Sequence, residues 1–227
     1  MGMDKQRTGA PHVMIPFTLL LVILRFTVGR LDVRTAETLH DYAVTHSGVT
    51  GLLIVWTDLF GPWPWRIVVT ALAVWLLRTG AHRLAVWALA TMAAGGLLGS
   101  ALKVVVGRAR PHLPHPVAFA PGESFPSGHA LNATLGVGVV VLVVAPMLPR
   151  WGRRVAWALA CFLALSVGYT RIALGVHWLS DVVAGTLLGT AVIAATAAAF
   201  GTWRHEPGRT RAAPPPTPPP DRLGQRV

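Results

Sequence analysis

The residues in this chain whose types and spacing suit chemistry fall in three short stretches. Lys103 and Arg110 stand seven apart in KVVVGRARP, close to two helical turns, so a helix continuing through both projects two cations from one face before Pro111 ends it. Two fixed cations at that spacing suit a phosphate dianion, and a guanidinium can grip two oxygens at once. In Pro126-Ser127-Gly128-His129, Ser127 is placed to cap a helix. The free N–H groups and positive end of that helix then face outward toward an anion, Gly128 lets an oxygen come close, and His129 in the first turn can protonate a leaving oxygen. In TRIALGVHWLSD, Arg171 adds a third cation, while His177 and Asp181 are four apart, on one helical face. A carboxylate at that spacing accepts the imidazole Nδ1 proton and leaves Nε2 unprotonated, as a nucleophilic or basic histidine requires.

The elements that must position these groups are membrane helices. Hydrophobic residues make up 53% of the 227 positions and charged residues only 13%, more apolar surface than one soluble core of this size can bury. The fold class expected is all-α: a polytopic membrane protein with six spans near 13–31, 63–79, 83–104, 128–149, 153–172 and 177–203, each close to the ~20 residues a bilayer requires. Between the first two, residues 32–61 carry Asp32, Arg34, Glu37, His40, Asp41 and Asp58 and are too polar to span throughout; their apolar part, Val49 to Phe60, reads as an interfacial helix. Trp56, Trp63, Trp65, Trp151, Trp178 and Trp203 fall near span ends, as in an aromatic belt. Gly95 with Gly99, and Gly185 with Gly189, set small residues four apart, which lets helices pack closely. The domain boundaries follow: a cytoplasmic segment 1–12, a six-span domain 13–203, and an extended or disordered Pro- and Arg-rich tail 204–227.

The formal charge of +11 comes mainly from short loops and the tail, with no basic stripe interleaved with aromatics, so nucleic acid is not an expected partner. The first span is followed by no small-residue cleavage site and reads as uncleaved. With the N terminus inside, Lys5, Arg7, Arg78, Arg83, Arg150, Arg153, Arg154, Arg204, Arg209, Arg211, Arg222 and Arg226 are cytoplasmic, twelve of the twenty Lys and Arg residues. All three motifs then lie on the extracytoplasmic side of a plasma membrane, with both termini in the cytoplasm.

The set Lys103-x6-Arg110-Pro111, Pro126-Ser127-Gly128-His129, Thr170-Arg171-x5-His177-x3-Asp181 resembles the three-part signature of the type 2 phosphatidate phosphatase family. Its wider superfamily includes vanadium haloperoxidases and bacterial acid phosphatases. The one departure is Thr170 where the family commonly has serine, and the hydroxyl is kept. The resemblance implies a lipid phosphatase, in a bacterial plasma membrane, in which His177 attacks phosphorus to give a phosphohistidine, Asp181 orients it and His129 protonates the departing group. Lys103, Arg110 and Arg171, with Ser127 and the Gly128 N–H, would hold the phosphoryl oxygens. Three cations can supply the charge stabilisation that Mg²⁺ supplies elsewhere, so no metal and no cofactor are expected.

Phosphatidate, phosphatidylglycerol phosphate and polyprenyl pyrophosphate all fit as substrates. A non-enzymatic binder or transporter of phosphorylated lipids would use the same cations without an oriented imidazole, and a lipid phosphotransferase would pass the phosphoryl group to an acceptor other than water. Oligomeric state, and the roles of Arg25 and Glu123, are not readable from the sequence.

Overall fold

Inside a bilayer no water is at hand for backbone N–H and C=O groups, so a spanning chain satisfies them internally, as helices. The computed structural model describes the backbone of residues 11–204 and the side chains of residues 28–201. Those residues form α1 (Pro11–Thr45), α2 (Ser47–Leu59), α3 (Pro62–Arg78), α4 (His82–Val106), α5 (Gly128–Val144), α6 (Arg150–Ala173) and α7 (Leu179–Arg204), with a 3₁₀ turn at Ala145–Met147. Among the described residues, five stretches are long and apolar enough to cross a membrane: Ser47–Arg78, His82–Val106, Gly128–Met147, Arg150–Ala173 and Leu179–Gly201. With α1, which covers the expected first span, they make the all-α membrane bundle that the composition predicts. The Arg25 side chain, the N-terminal ten residues and the tail after Arg204 lie outside what is described.

The polar residues after the first span do not break the helix: α1 runs on to Thr45, and the apolar helix follows as α2. Pairing explains this, because Asp32 (2% exposed) and His40 (1%) are buried and each finds a partner, His40 Nε2 donating to the Pro114 carbonyl at 2.9 Å.

At the centre, α5 packs against α3, α4, α6 and α7. Its run of Val, Leu, Ala and Gly is apolar all round, and the helix is buried along most of its length. The glycine pairs let its neighbours approach. A Cβ on Gly95 or Gly99 would meet Leu135 or Leu131 of α5, and one on Gly185 would stand 2.6 Å from the Ser127 carbonyl. The last of these draws the first turns of α7 against the start of α5. Of the tryptophans expected at the interface, Trp63 and Trp151 are exposed, whereas Trp65 is buried and its ring lies over Gly136, where any side chain would collide with it.

Candidate functional site

Five of the eight residues singled out in the sequence, Lys103, Gly128, His129, Arg171 and Asp181, sit at the ends of α4, α5 and α6 or in the first turn of α7, and the other three lie in the two connections between them. The α4 helix stops sooner than its sequence spacing implies. It ends at Val106, and Gly107, with φ of 57°, takes the left-handed cap conformation that glycine accepts without penalty. Lys103 and Arg110 are therefore not on one helical face. They converge by another route: the segment 107–127 folds back, and the Glu123 carbonyl accepts from Lys103 Nζ at 2.6 Å and from Arg110 Nη2 at 3.1 Å. Arg110 also donates to the carbonyls of Gly122, Pro121 and Val176.

The most informative contact of Arg110 is with His177, whose Nε2 lies 3.1 Å from Nη1. A guanidinium has donors and no acceptor, so Nε2 must be the unprotonated nitrogen and Nδ1 carries the proton. Nδ1 faces Asp181 Oδ2 at 3.5 Å, without good hydrogen-bond geometry to any acceptor. Burial pushes His177 down to about 4, helped by Arg110 and Arg171 and opposed by the facing Asp181. The imidazole is thus neutral near pH 7. Arg110 is lowered as well, chiefly by burial.

His177 precedes α7 rather than lying within it, one residue before the capping residue Trp178, so it meets Asp181 from outside the helix and not along one helical face. Asp181, 0% exposed, sits at the third helical position and its Oδ2 accepts from the Trp178 N–H at 2.9 Å, the reciprocal half of a capping box. Ser127 caps α5 as its sequence position predicts, accepting from Ala130 N at 3.5 Å, and its own N–H donates to the Asp181 carbonyl at 3.0 Å. Gly128 opens α5 with free space where a side chain would be. Arg171, 6% exposed, donates to Thr57 at 3.2 Å, and its carbonyl accepts from the N–H groups of Val176 and His177. Arg171 and His129 share the wall of a cavity of 380 Å³ with Thr57, Asp58 and Phe119. Lys103, Arg110, His177, Asp181, Ser127 and Arg171 are joined through these contacts, Gly128 follows Ser127 in the chain, and His129 meets the group at the cavity wall it shares with Arg171.

Three residues that the sequence reading passed over complete the site. Ser124 Oγ donates to Asp181 Oδ2. Arg108 donates from Nη1 to Asp181 Oδ1 at 2.7 Å and from Nη2 to Asp32 Oδ2 at 2.7 Å. Asp32 Oδ1 in turn accepts from the Ser180 N–H at 2.8 Å. The carboxylate joined to Asp181 is Asp32, reached through Arg108. A signal did exist, since Arg108 lies within KVVVGRARP and Asp32 is a charge next to an apolar span, where ionisable groups are costly unless paired.

Comparison with known proteins gives a consistent picture. The family profile described as PAP2 superfamily matches residues 84–205. A lipid A 1-phosphatase of Rhizobium johnstonii is 40% identical over 119 residues, 48% of this chain and 45% of that protein. An undecaprenyl-diphosphatase of Sulfolobus acidocaldarius is 31% identical over 151 residues, 63% of this chain and 66% of that one. The chain spans about half the length of most of the curated relatives it matches. Among solved structures, a transmembrane PAP2 type phosphatidylglycerolphosphate phosphatase from Bacillus subtilis shares the fold, with a TM-score of 0.66 at 23% identity over 86% of this chain and 98% of that one.

Proposed function

We propose, since this chain belongs to the PAP2 superfamily, that it is an integral-membrane phosphatase releasing phosphate from a lipid phosphomonoester or pyrophosphate through a phosphohistidine. The observation that carries this reading is the buried, neutral imidazole of His177, its Nε2 lone pair held toward Arg110 and its protonated Nδ1 turned to Asp181. In the first step Nε2 forms a bond to phosphorus while the bond to the leaving oxygen breaks, and His129 gives that oxygen a proton. In the second, water attacks the phosphohistidine, His129 takes a proton from it, and phosphate departs with His177 restored. Lys103, Arg110 and Arg171, with the Gly128 N–H at the start of α5, hold the phosphoryl oxygens; the bound phosphate takes over donors that backbone carbonyls now occupy.

On this reading residues 13–203 are the phosphatase domain, working without a metal, and the positive-inside count puts the site on the extracytoplasmic side. Phosphatidate, phosphatidylglycerol phosphate and polyprenyl pyrophosphate are the candidate substrates; the last two are in keeping with the names of relatives, and other relatives are named for lipid A. The test is phosphate release by purified protein from these three lipids in the presence of EDTA. Release that His177→Ala abolishes is expected; release that His177→Ala leaves unchanged ends the assignment. Lipid movement without phosphate release, surviving His177→Gln, would instead identify a transporter.

A further inference from the structure

The network behind Asp181 rests on the phosphatase reading and extends it. We propose that Arg108 and Asp32 are positioning residues for the reaction: one guanidinium shared between two buried carboxylates sets the orientation and the charge that Asp181 presents to His177. Asp181 and Asp32 are 0% and 2% exposed, and each receives one arm of the Arg108 fork at 2.7 Å. Ser180 closes the arrangement. Arginine cannot accept a hydrogen bond, so Ser180 Oγ accepts from Arg108 Nη1 at 2.6 Å and gives its own proton to Asp32 Oδ2 at 2.6 Å. Arg108 is held over the Trp178 ring, 5.6 Å from its centroid, and the indole Nε1 donates to the Ala109 carbonyl.

Two carboxylates and one guanidinium leave one net negative charge. Attack by Nε2 on phosphorus develops positive charge on the imidazole, and that residual negative charge is aimed at it through Asp181. Without Asp32, Arg108 would neutralise Asp181 alone. Without Arg108, two like charges would face each other in a buried place, which is unfavourable for both. The other charged or titratable groups facing His177 are Arg110 from the 107–127 segment, Arg171 from α6 and His129 from α5.

A purely structural role is the competing explanation, because Asp32 also satisfies an N–H at the start of α7. The two differ in sign. Full-length Asp32→Asn, Arg108→Gln and the double variant, purified in detergent, are compared with wild type for kcat/KM against pH on one short-chain phosphatidate, and for the ring titration of His177 by ¹⁵N NMR. Removing a negative charge lowers the pH of the acid limb and of the His177 titration, and removing the positive charge raises both, each by about half a unit to one unit. The single variants lose kcat by at least about tenfold with KM little changed, since the contact acts through Asp181 on the reacting nitrogen. The double variant, which restores the net charge, returns the titration to near wild type.

Titrations that stay put, or that move the same way in both single variants, overturn the proposal. Should Arg108→Gln not fold, Asp32→Asn decides alone: a downward shift supports the proposal and an unmoved titration refutes it. Because the NMR titration needs no turnover, it separates this proposal from the phosphatase reading, which fails if wild type releases no phosphate.

Discussion

Arg110 Nη1 donates to His177 Nε2 across 3.1 Å, and this single contact assigns the imidazole tautomer. On the proposed mechanism it also occupies the nitrogen that attacks phosphorus, so an incoming phosphate has to replace it by drawing the guanidinium onto its own oxygens. Lysine cannot do both. Arg110→Lys keeps the charge but loses the fork that reaches Gly122, Pro121 and Glu123, and kcat/KM should fall by about 10²- to 10³-fold with thermal stability little changed. Steady-state kinetics on a lipid monophosphate check this; an Arg110→Lys enzyme within a few fold of wild type would show that the fork is dispensable.

Ser124 reaches Asp181 from the 107–127 segment and shares Oδ2 with the Trp178 N–H. Ser124→Ala removes one donor and leaves the other, so the carboxylate stays capped but loses one of its constraints. Expected is a loss in kcat of about tenfold, with KM near wild type, because the hydroxyl touches the orienting group and not the substrate.

The close passage of α7 past α5 depends on Gly185, where a Cβ would stand 2.6 Å from the Ser127 carbonyl and 3.2 Å from the Leu131 N–H. Backbone cannot step aside as a flexible side chain does. Gly185→Val should lower stability by about 1–3 kcal/mol, read as a drop in Tm, and should also reduce activity, since the displaced helix carries Asp181. The same substitution at Gly96, where nothing stands within 4 Å, is the control.

Acid should destabilise the protein through His177. Its folded pKa of about 4 lies below the ordinary value of 6.5, so between these values the unfolded chain binds the proton and the folded one does not. Stability tied to the neutral ring is whole above about 6.5, falls as the pH drops through that window, and levels off below about 4, by up to about 3 kcal/mol. Thermal melts across that range should show a shallower decline in His177→Gln than in wild type.

The residues proposed to meet the phosphate are legible in the sequence, but little of what holds them is. His177, Asp181, His129 and the three cations were legible because phosphate chemistry demands those residue types, and Ser127 because a cap announces itself locally. The route by which Lys103 and Arg110 meet is hidden there: Pro111 reads as the helix end, whereas Gly107 ends it one turn earlier. Arg108 was passed over since its partners are 73 and 76 residues away, and Asp32 since Ser180 lies 148 residues from it. Such pairings exist only once α1 packs beside α7, and no local pattern of polar residues records that packing.

The proposed covalent bond between His177 Nε2 and phosphorus is open to rapid-quench labelling. Purified protein is mixed with a lipid bearing a ³²P-labelled terminal phosphate and stopped in alkali, where phosphohistidine survives, and the labelled peptide is mapped. The account predicts a transient label on His177 that forms before free phosphate accumulates, and none in His177→Ala. Full turnover with no label on His177, or a label carried by another residue, would contradict it.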